Sequence, residues 1–402
     1  MADGLTGLTE EQRELSRTAA RVLADAARKD PLPPDWHALP LPLNRPLWAA
    51  LGELGLLGLT VPDSLGGSGA GVLDQCVLAE QVGAAVPAVP FTGTAAVAAV
   101  LSRSVGSGAV ESGAVESGAV ESGAVESGAA GVVAEVLAGL AEGTVVVAPA
   151  WESWPASVVP GRRFDALTLA GSTVGGTLRA VPFGMDADRL LAFDASDTPL
   201  LVDLTGPGVS RAPVDSLDVQ EPLATVTLDG APATVLAPVE LPVAEILTVL
   251  AAELVGTGQR ALDGAVGYAK ERRQFGRAIG SFQAIKHMLA DRYVQLDAAR
   301  LLVHAAAKNL DADPGDLDAD PGADPGAGPG RAAVELAART ALVSASDAAD
   351  AATADALQTH GGIGFTWEHP SHVLLKRARA RRILLGSPAR QLEAVAAHIL
   401  AG

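Results

Sequence analysis

Two short stretches carry residues whose types and spacing suit the handling of a phosphorylated ligand. In "ERRQFGRAIGSFQAIKHMLAD" (271–291), Arg272 and Gln283 flank a Phe275-Gly276 turn. A guanidinium fork matches the paired oxygens of a pyrophosphate. Gln283, on the helix that follows, can reach the same group. In "QTHGGIGFTWEHP" (358–370), Gly361 and Gly362 have no Cβ, so a phosphate or ribose can approach the backbone closely. Each stretch alone has a plainer reading, a solvated cation at a helix end for the first and a turn for the second. His360, His369 and His372 are close in sequence but lack zinc-site spacing, so no metal site is expected. Cys76, the one cysteine, reads as a small core residue and excludes an internal disulfide.

The elements that must position these residues follow from periodicity. Thr9 and Gln12 form a capping box, with Leu15, Ala19 and Val22 at helical spacing behind it. Further helices are expected over about Pro46–Leu57 and over 73–85. "SGAVE" repeats four times from Ser107 to Glu126, a five-residue period that fits neither helix nor strand, and reads as a surface insertion. Between about Thr144 and Pro242, short β-branched runs such as "TVVVAPA", "PLLVDL" and "ATVTLDG" alternate with Gly, Pro and Asp, the pattern of a sandwich or barrel. Helical spacing returns from Leu241. Helices are expected to begin there, at 280–310, at 332–360 and at 372–385, with "DADPGDLDADPGADPGAGPG" (311–330) as a linker. The expected fold is mainly α with a central β domain: 1–143 helical (107–128 inserted), 144–242 a β-sandwich or barrel, and 243–402 a four-helix bundle.

Composition narrows the function. The 402 residues carry a net charge of −18, which disfavours nucleic acid and anionic membranes. An anionic ligand therefore needs a local basic pocket. The N-terminal segment lacks a secretory pattern, and no long uncharged apolar run suits a membrane span. With a single cysteine, this points to a cytoplasmic protein.

Taken together, Arg272, Phe275, Gly276 and Gln283, followed by Gln358, Gly361, Gly362 and Gly364, resemble the acyl-CoA dehydrogenase family. "LWAALGELGLLGLTVPDSLGGSG" (47–69) is similar to the family's opening region, so the resemblance spans almost the whole chain. It implies FAD as cofactor, with Arg272, Phe275, Gln283, Gln358, Gly361 and Gly362 contacting the FAD of a neighbouring subunit in a homo- or hetero-oligomer, a dimer or tetramer. It implies α,β-desaturation of an acyl-CoA or carrier-protein thioester, with electrons passed to an electron-transfer flavoprotein. The cationic run Lys376, Arg377, Arg379, Arg381 and Arg382 reads either as attracting coenzyme A phosphates or as a solvated helix face.

The chain departs from the family pattern at the base. Many members place a Glu before Gly-Thr after the C-terminal basic helix; here "RRILLGSP" (381–388) puts Leu385, Gly386 and Ser387 there. The chain is thus a divergent member without the usual C-terminal catalytic glutamate. Ser387 can offer a hydroxyl to the flavin in place of the usual threonine. The other position used in the family falls on Ile246. Glu253 lies two turns further along, in "LAAELVG" beside Gly256 and Gly258. It reads either as a base facing an acyl pocket or as a solvent-facing carboxylate paired with Arg260. The β region also departs, since "VVVAPAWESWPASVVPG" (145–161) lacks the acidic-Pro pair and the Gly-Ser-Asp that usually serve the flavin. Three functions are compatible: a dehydrogenase using Glu253, a partner subunit completing the FAD site of a related chain, or a flavin oxidase or monooxygenase on the same scaffold.

Overall fold

The structure is a computed structural model that describes residues 7–29, 41–110, 122–160, 167–312 and 330–401. Most of the 311–330 linker and the middle of the SGAVE repeat, 111–121, lie outside the described residues. The chain forms two compact units, one of residues 38–70 and 88–243, the other of 1–37, 71–87 and 244–402.

The first unit carries the sheet. Helix α2 (Arg45–Glu53) starts where Asn44 Oδ1 accepts the Leu47 N–H at 3.0 Å, with Pro46 in the first turn. It stops four residues short of the expected Leu57 because Gly55 turns to φ +70°. Helices α4 (Phe91–Val110) and α5 (Ser122–Ala141) run into both ends of the repeat. Its outer parts therefore take helical backbone, although the five-residue period does not suggest it.

Strands β1 (Val147–Pro149), β2 (Thr168–Ala170), β3 (Thr173–Pro182), β4 (Arg189–Phe193), β5 (Pro199–Asp203), β6 (Val209–Val214) and β7 (Leu223–Val235) make one curved sheet. The order is β1-β4-β5-β7-β3-β2, with β6 also paired to β7. All pairs are antiparallel except β1 with β4. Thirteen-residue β7 joins the two halves: its first part pairs with β6 and β3, its last residues with β5. Leu190 to Phe193 and Leu200 to Val202 are all buried, so β4 and β5 read as continuous apolar runs.

The second unit is helical: α1 (Glu10–Lys29), α3 (Val72–Ala85), α6 (Val243–Glu271), α7 (Gln283–Asp311), α8 (Arg331–His360), α9 (Ser371–Leu384) and α10 (Pro388–Ala401). The capping box opens α1 as expected: Thr9 N–H donates to Gln12 Oε1 at 3.0 Å and Gln12 N–H to Thr9 Oγ1 at 3.2 Å. Residues 1–143 are not one helical body, because α1 and α3 belong with the C-terminal helices. The reason lies in α3, which is apolar almost all round, with residues from Val72 to Gly83 buried on every side. Such a helix must be surrounded. Asp311, at the end of α7, accepts the N–H groups of Val72 and Leu73 at 2.5 and 3.0 Å and so caps α3. Asp311→Ala should cost about 1 kcal/mol in urea unfolding, the usual worth of such a cap.

Two glycines set the α3–α6 crossing. A Cβ on Gly83 would lie 1.9 Å from the Glu253 carbonyl oxygen, and one on Gly256 would lie 1.9 Å from that of Glu80. The helices touch backbone to backbone, and Thr257 Oγ1 donates to the Gly83 carbonyl at 3.0 Å. One turn along α3, Glu80 accepts from Arg300 Nε at 2.9 Å and bonds His304 Nε2 at 3.2 Å. Burial alone would raise the Glu80 pKa, but the His304 hydrogen bond and the Arg300 charge hold it below the ordinary carboxylate value. A depressed folded-state pKa gives stability that is present above the unfolded value and lost as pH falls through the folded one. Urea midpoints at pH 7 and pH 3 should therefore differ less in Glu80→Gln than in the parent; an equal acid loss in both would remove Glu80 from the account.

Candidate functional site

The α6–α7 connection is a hairpin. Strands β8 (Arg273–Gln274) and β9 (Arg277–Ala278) pair Arg273 with Ala278 and Gln274 with Arg277, which leaves Phe275-Gly276 as a two-residue turn. Both turn residues have positive φ, +51° and +79°, as a type I′ turn requires. Glycine accepts this freely, but phenylalanine is strained. Phe275 is also 92% exposed. The Arg277 guanidinium lies 4.0 Å over the Phe282 ring, which meets Phe275 edge-on.

The Arg272 backbone is pinned while its side chain is free to act outward. Its N–H donates to the Tyr268 carbonyl, and its carbonyl accepts the Ile279 N–H, both at 2.8 Å. Arg272 and Gln283 are exposed. At the far end of α8, Gln358 and Gly362 are exposed as well. Gly361 ends the helix at φ +64°, and a Cβ on either glycine would meet nothing within 4 Å. The glycines are thus not required by packing within the chain. An open backbone edge of this kind fits a group supplied from outside.

The two stretches are held near each other. The rings of Tyr268, four residues before Arg272, and His360, next to Gly361, lie 4.7 Å apart. His360 in turn stacks on His369 at 4.2 Å, and Ser371 Oγ bonds the Nδ1 atoms of His369 and His360 at 2.7 and 3.2 Å. Burial, then the neighbouring His360, holds the His369 pKa below the ordinary imidazole value. The histidine rings and the Ser371 hydroxyl thus brace the loop after α8. Among the described residues no grouping of His, Cys, Asp or Glu could hold a metal.

Glu253 fits neither expectation made for it. It does not face solvent beside Arg260, because it has 0% exposure. Its Oε1 accepts from Arg377 Nη1 at 3.1 Å and Arg381 Nε at 2.8 Å, and both arginines are themselves buried. This is a buried Arg–Glu–Arg triad joining α6 to α9. Protonating Glu253 would strip two buried guanidiniums of the carboxylate they share, so the geometry opposes a base role. Gly256 and Gly258 do not line an acyl pocket either: Gly256 serves the α3 crossing, and a Cβ on Gly258 would strike Leu296 and Ala349. Arg377 and Arg381 belong to the triad and not to a solvated face, whereas Arg379 and Arg382 pair with Asp350 on α8.

Leu385 and Ile246, the positions where the resemblance would place a base, are buried apolar residues. Gly386 closes α9 at φ +96°, and Ser387 caps α10, its Oγ receiving the Arg390 N–H at 3.4 Å. Helix α10 was not expected from the sequence, although Ser387 before Pro388 is a usual start signal. On the sheet, Trp151, Trp154 and Phe193 form an aromatic cluster, with ring centroids 4.7 and 5.2 Å apart along the chain of contacts. Ser153 is buried within it, donating to the Ala150 carbonyl and accepting the Phe193 N–H. Its hydroxyl is committed to the fold.

Models of acyl-CoA dehydrogenase domains match the chain, the N-terminal domain over residues 9–112 and the C-terminal domain over 248–400. The chain is 32% identical over 361 residues to the acyl-CoA dehydrogenase FadE34 of Mycobacterium tuberculosis, a match covering 89% of this chain but only 42% of that protein. It is 30% identical to the acyl-CoA dehydrogenase IpdE2 of the same organism, over 85% of this chain and 83% of that one. Among solved structures, a variant of the Tcur3481-Tcur3483 steroid ACAD superposes with a TM-score of 0.74 at 27% identity, covering 98% of each chain. No helix among the described residues is long and apolar enough to cross a membrane. The chain belongs to the acyl-CoA dehydrogenase family.

Proposed function

We propose that this chain is the partner subunit of a hetero-oligomeric acyl-CoA dehydrogenase, lending a pyrophosphate-binding arm to an FAD held mainly by a related chain. The observation that carries this reading is the Arg377–Glu253–Arg381 triad, which commits the one carboxylate proposed as a base. Meanwhile Arg272, Phe275, Gln283, Gln358 and Gly362 are exposed, and Gly361 is half-buried with open space beside its Cα. That edge fits a dinucleotide approaching from outside. The sheet segment 145–160 offers it no free hydroxyl at Ser153. The paired gene names of the similar steroid ACAD, and a relative more than half of whose length lies outside the match, suit a chain that works beside a second one.

FAD would supply the hydride acceptor for α,β-desaturation of an acyl-CoA thioester, and an electron-transfer flavoprotein would reoxidise the assembly. A steroid-derived acyl group is the substrate class suggested by the similar solved structure. In this chain, Arg272 and Gln283 bind the pyrophosphate, and the Gly361–Gly362 edge gives it room. The α-proton base comes from the other chain.

The test is to purify the chain alone and co-expressed with a paralogue carrying the C-terminal Glu-Gly-Thr. The expected result is colourless, inactive protein alone and a yellow complex that is bleached anaerobically by an acyl-CoA. A chain that binds FAD and turns over by itself would overturn the reading.

A further inference from the structure

The helical unit holds a cavity of about 760 Å³ between α1, α3, α6 and α7, well inside the size range of small-molecule sites. It does not include Arg272, Gln283 or the glycine edge, and nothing argued above uses it. Its walls are apolar along the middle: Val77 from α3, Leu262 and Val266 from α6, and Leu289 and Tyr293 from α7.

The polar groups are sorted by end. At one end lie Glu80, Arg300 and His304, tied to one another, with Arg300 also donating to Gln259 Oε1 at 3.1 Å. At the other end stand Lys270, in the last turn of α6, and Lys286, in the first turn of α7. These ends adjoin, since a Cβ on Gly280 would lie 2.9 Å from the Ala269 carbonyl oxygen. Lys286 and Arg300 are fourteen residues apart on α7, about 21 Å along the axis at the usual helical rise.

The charges that line the cavity are not equally available. Glu80 is paired with Arg300 and His304, and Asp297 stands 3.9 Å from Arg300, whereas Asp263 accepts only from the neutral amide of Gln259, Nε2 at 2.9 Å, so its charge is uncompensated. Arg13 and Arg17 are paired with Glu10 and Glu14 on their own helix. Among the described residues, Lys270 and Lys286 make no side-chain hydrogen bond or ion pair. Against the one uncompensated carboxylate, Asp263, stand two unpaired ammonium groups, Lys270 and Lys286, so the uncommitted charge is net positive at the lysine end of an elongated apolar trough. In a chain of net charge −18, such a local pole is what an anion requires.

We propose that this trough binds a long-chain amphipathic carboxylate, its chain along Leu262, Val266 and Leu289 and its head at Lys270 and Lys286. The lining excludes Arg272 and Gln283, although Lys270 and Lys286 stand two and three residues from them; the probes below carry no phosphate, so the proposal is tested independently of the partner-subunit reading. The test uses the full chain and calorimetric titration with dodecanoate, dodecanol and dodecyltrimethylammonium. Dodecanoate should bind at least tenfold more tightly than the ammonium amphiphile. The Lys270→Glu/Lys286→Glu variant changes only exposed positions and should lose at least tenfold for dodecanoate. Val266→Trp, which fills the trough, should abolish binding of both dodecanoate and dodecanol. Equal affinity for the two charged probes, wild-type affinity in the double lysine variant, or no dodecanoate binding would each overturn the proposal, whatever the folding of Val266→Trp.

Discussion

Glu253→Ala should lower the unfolding free energy by about 3–5 kcal/mol, the usual result of removing one partner from a buried ion pair. The substitution leaves Arg377 and Arg381 buried without the carboxylate that both contact. Urea unfolding followed by circular dichroism measures the loss. Glu253→Gln should lose less, because an amide oxygen still accepts from the guanidiniums. The triple replacement Glu253→Leu, Arg377→Met, Arg381→Met should recover much of the difference, since apolar residues of similar volume can replace a buried ionic cluster at little cost. A catalytic base behaves otherwise, its removal abolishing turnover while leaving the fold near its parent stability. If Glu253→Ala unfolds at the parent midpoint, the triad is not structural and a base role returns.

Gly256→Ala should cost about 1–3 kcal/mol or more, in the range of overpacked cores. The added Cβ would sit 1.9 Å from a backbone oxygen of α3, which cannot swing aside as a side chain can. The helices must separate, and the separation reaches Glu80 and its bonds to Arg300 and His304. Gly264→Ala on the same helix is the matched control. Nothing lies within 4 Å of a Cβ there, so it should stabilise by up to about 1 kcal/mol through helix propensity alone. Equal urea midpoints for the two variants would contradict the crossing as described.

Much of this arrangement is legible in the chain itself. The capping box at Thr9, the strands between Val147 and Val235, and the long helices of the C-terminal half follow from short-range periodicity and turn chemistry, which are local signals. The proposed cofactor arm is legible as a motif, Arg, Phe-Gly, Gln and Gly-Gly at fixed spacing, although Gly276 and Gly361 also serve the fold through their positive φ. Glu253 is not legible in the same way. Its partners are 124 and 128 residues away, and nothing in "LAAELVG" indicates that two arginines of α9 point inward. A run such as "KRARARR" looks solvated, yet two of its members are among the most buried charges in the chain. The grouping of α3 with the C-terminal helices is likewise a long-range result, although its all-round apolar character is a hint. The end of α2 and the start of α10 were set by Gly55 and by Ser387-Pro388, punctuation that apolar spacing alone does not reveal.

"RRILLGSP" shows the same division. As structure it is a glycine-closed helix followed by a serine-capped one. As chemistry it holds a buried leucine where the sequence resemblance would place a base, and Glu253 is tied to two buried arginines.

The central claim is that this chain contributes an arm to a neighbour's FAD. The most direct measurement is the FAD dissociation constant of the co-expressed complex, with and without Arg272→Ala in this chain alone. A charge-assisted hydrogen bond to phosphate contributes roughly 1.5–3 kcal/mol, so the account predicts FAD binding weakened by about tenfold or more, with the oligomer intact by sedimentation. Unchanged FAD affinity in an intact complex would contradict it.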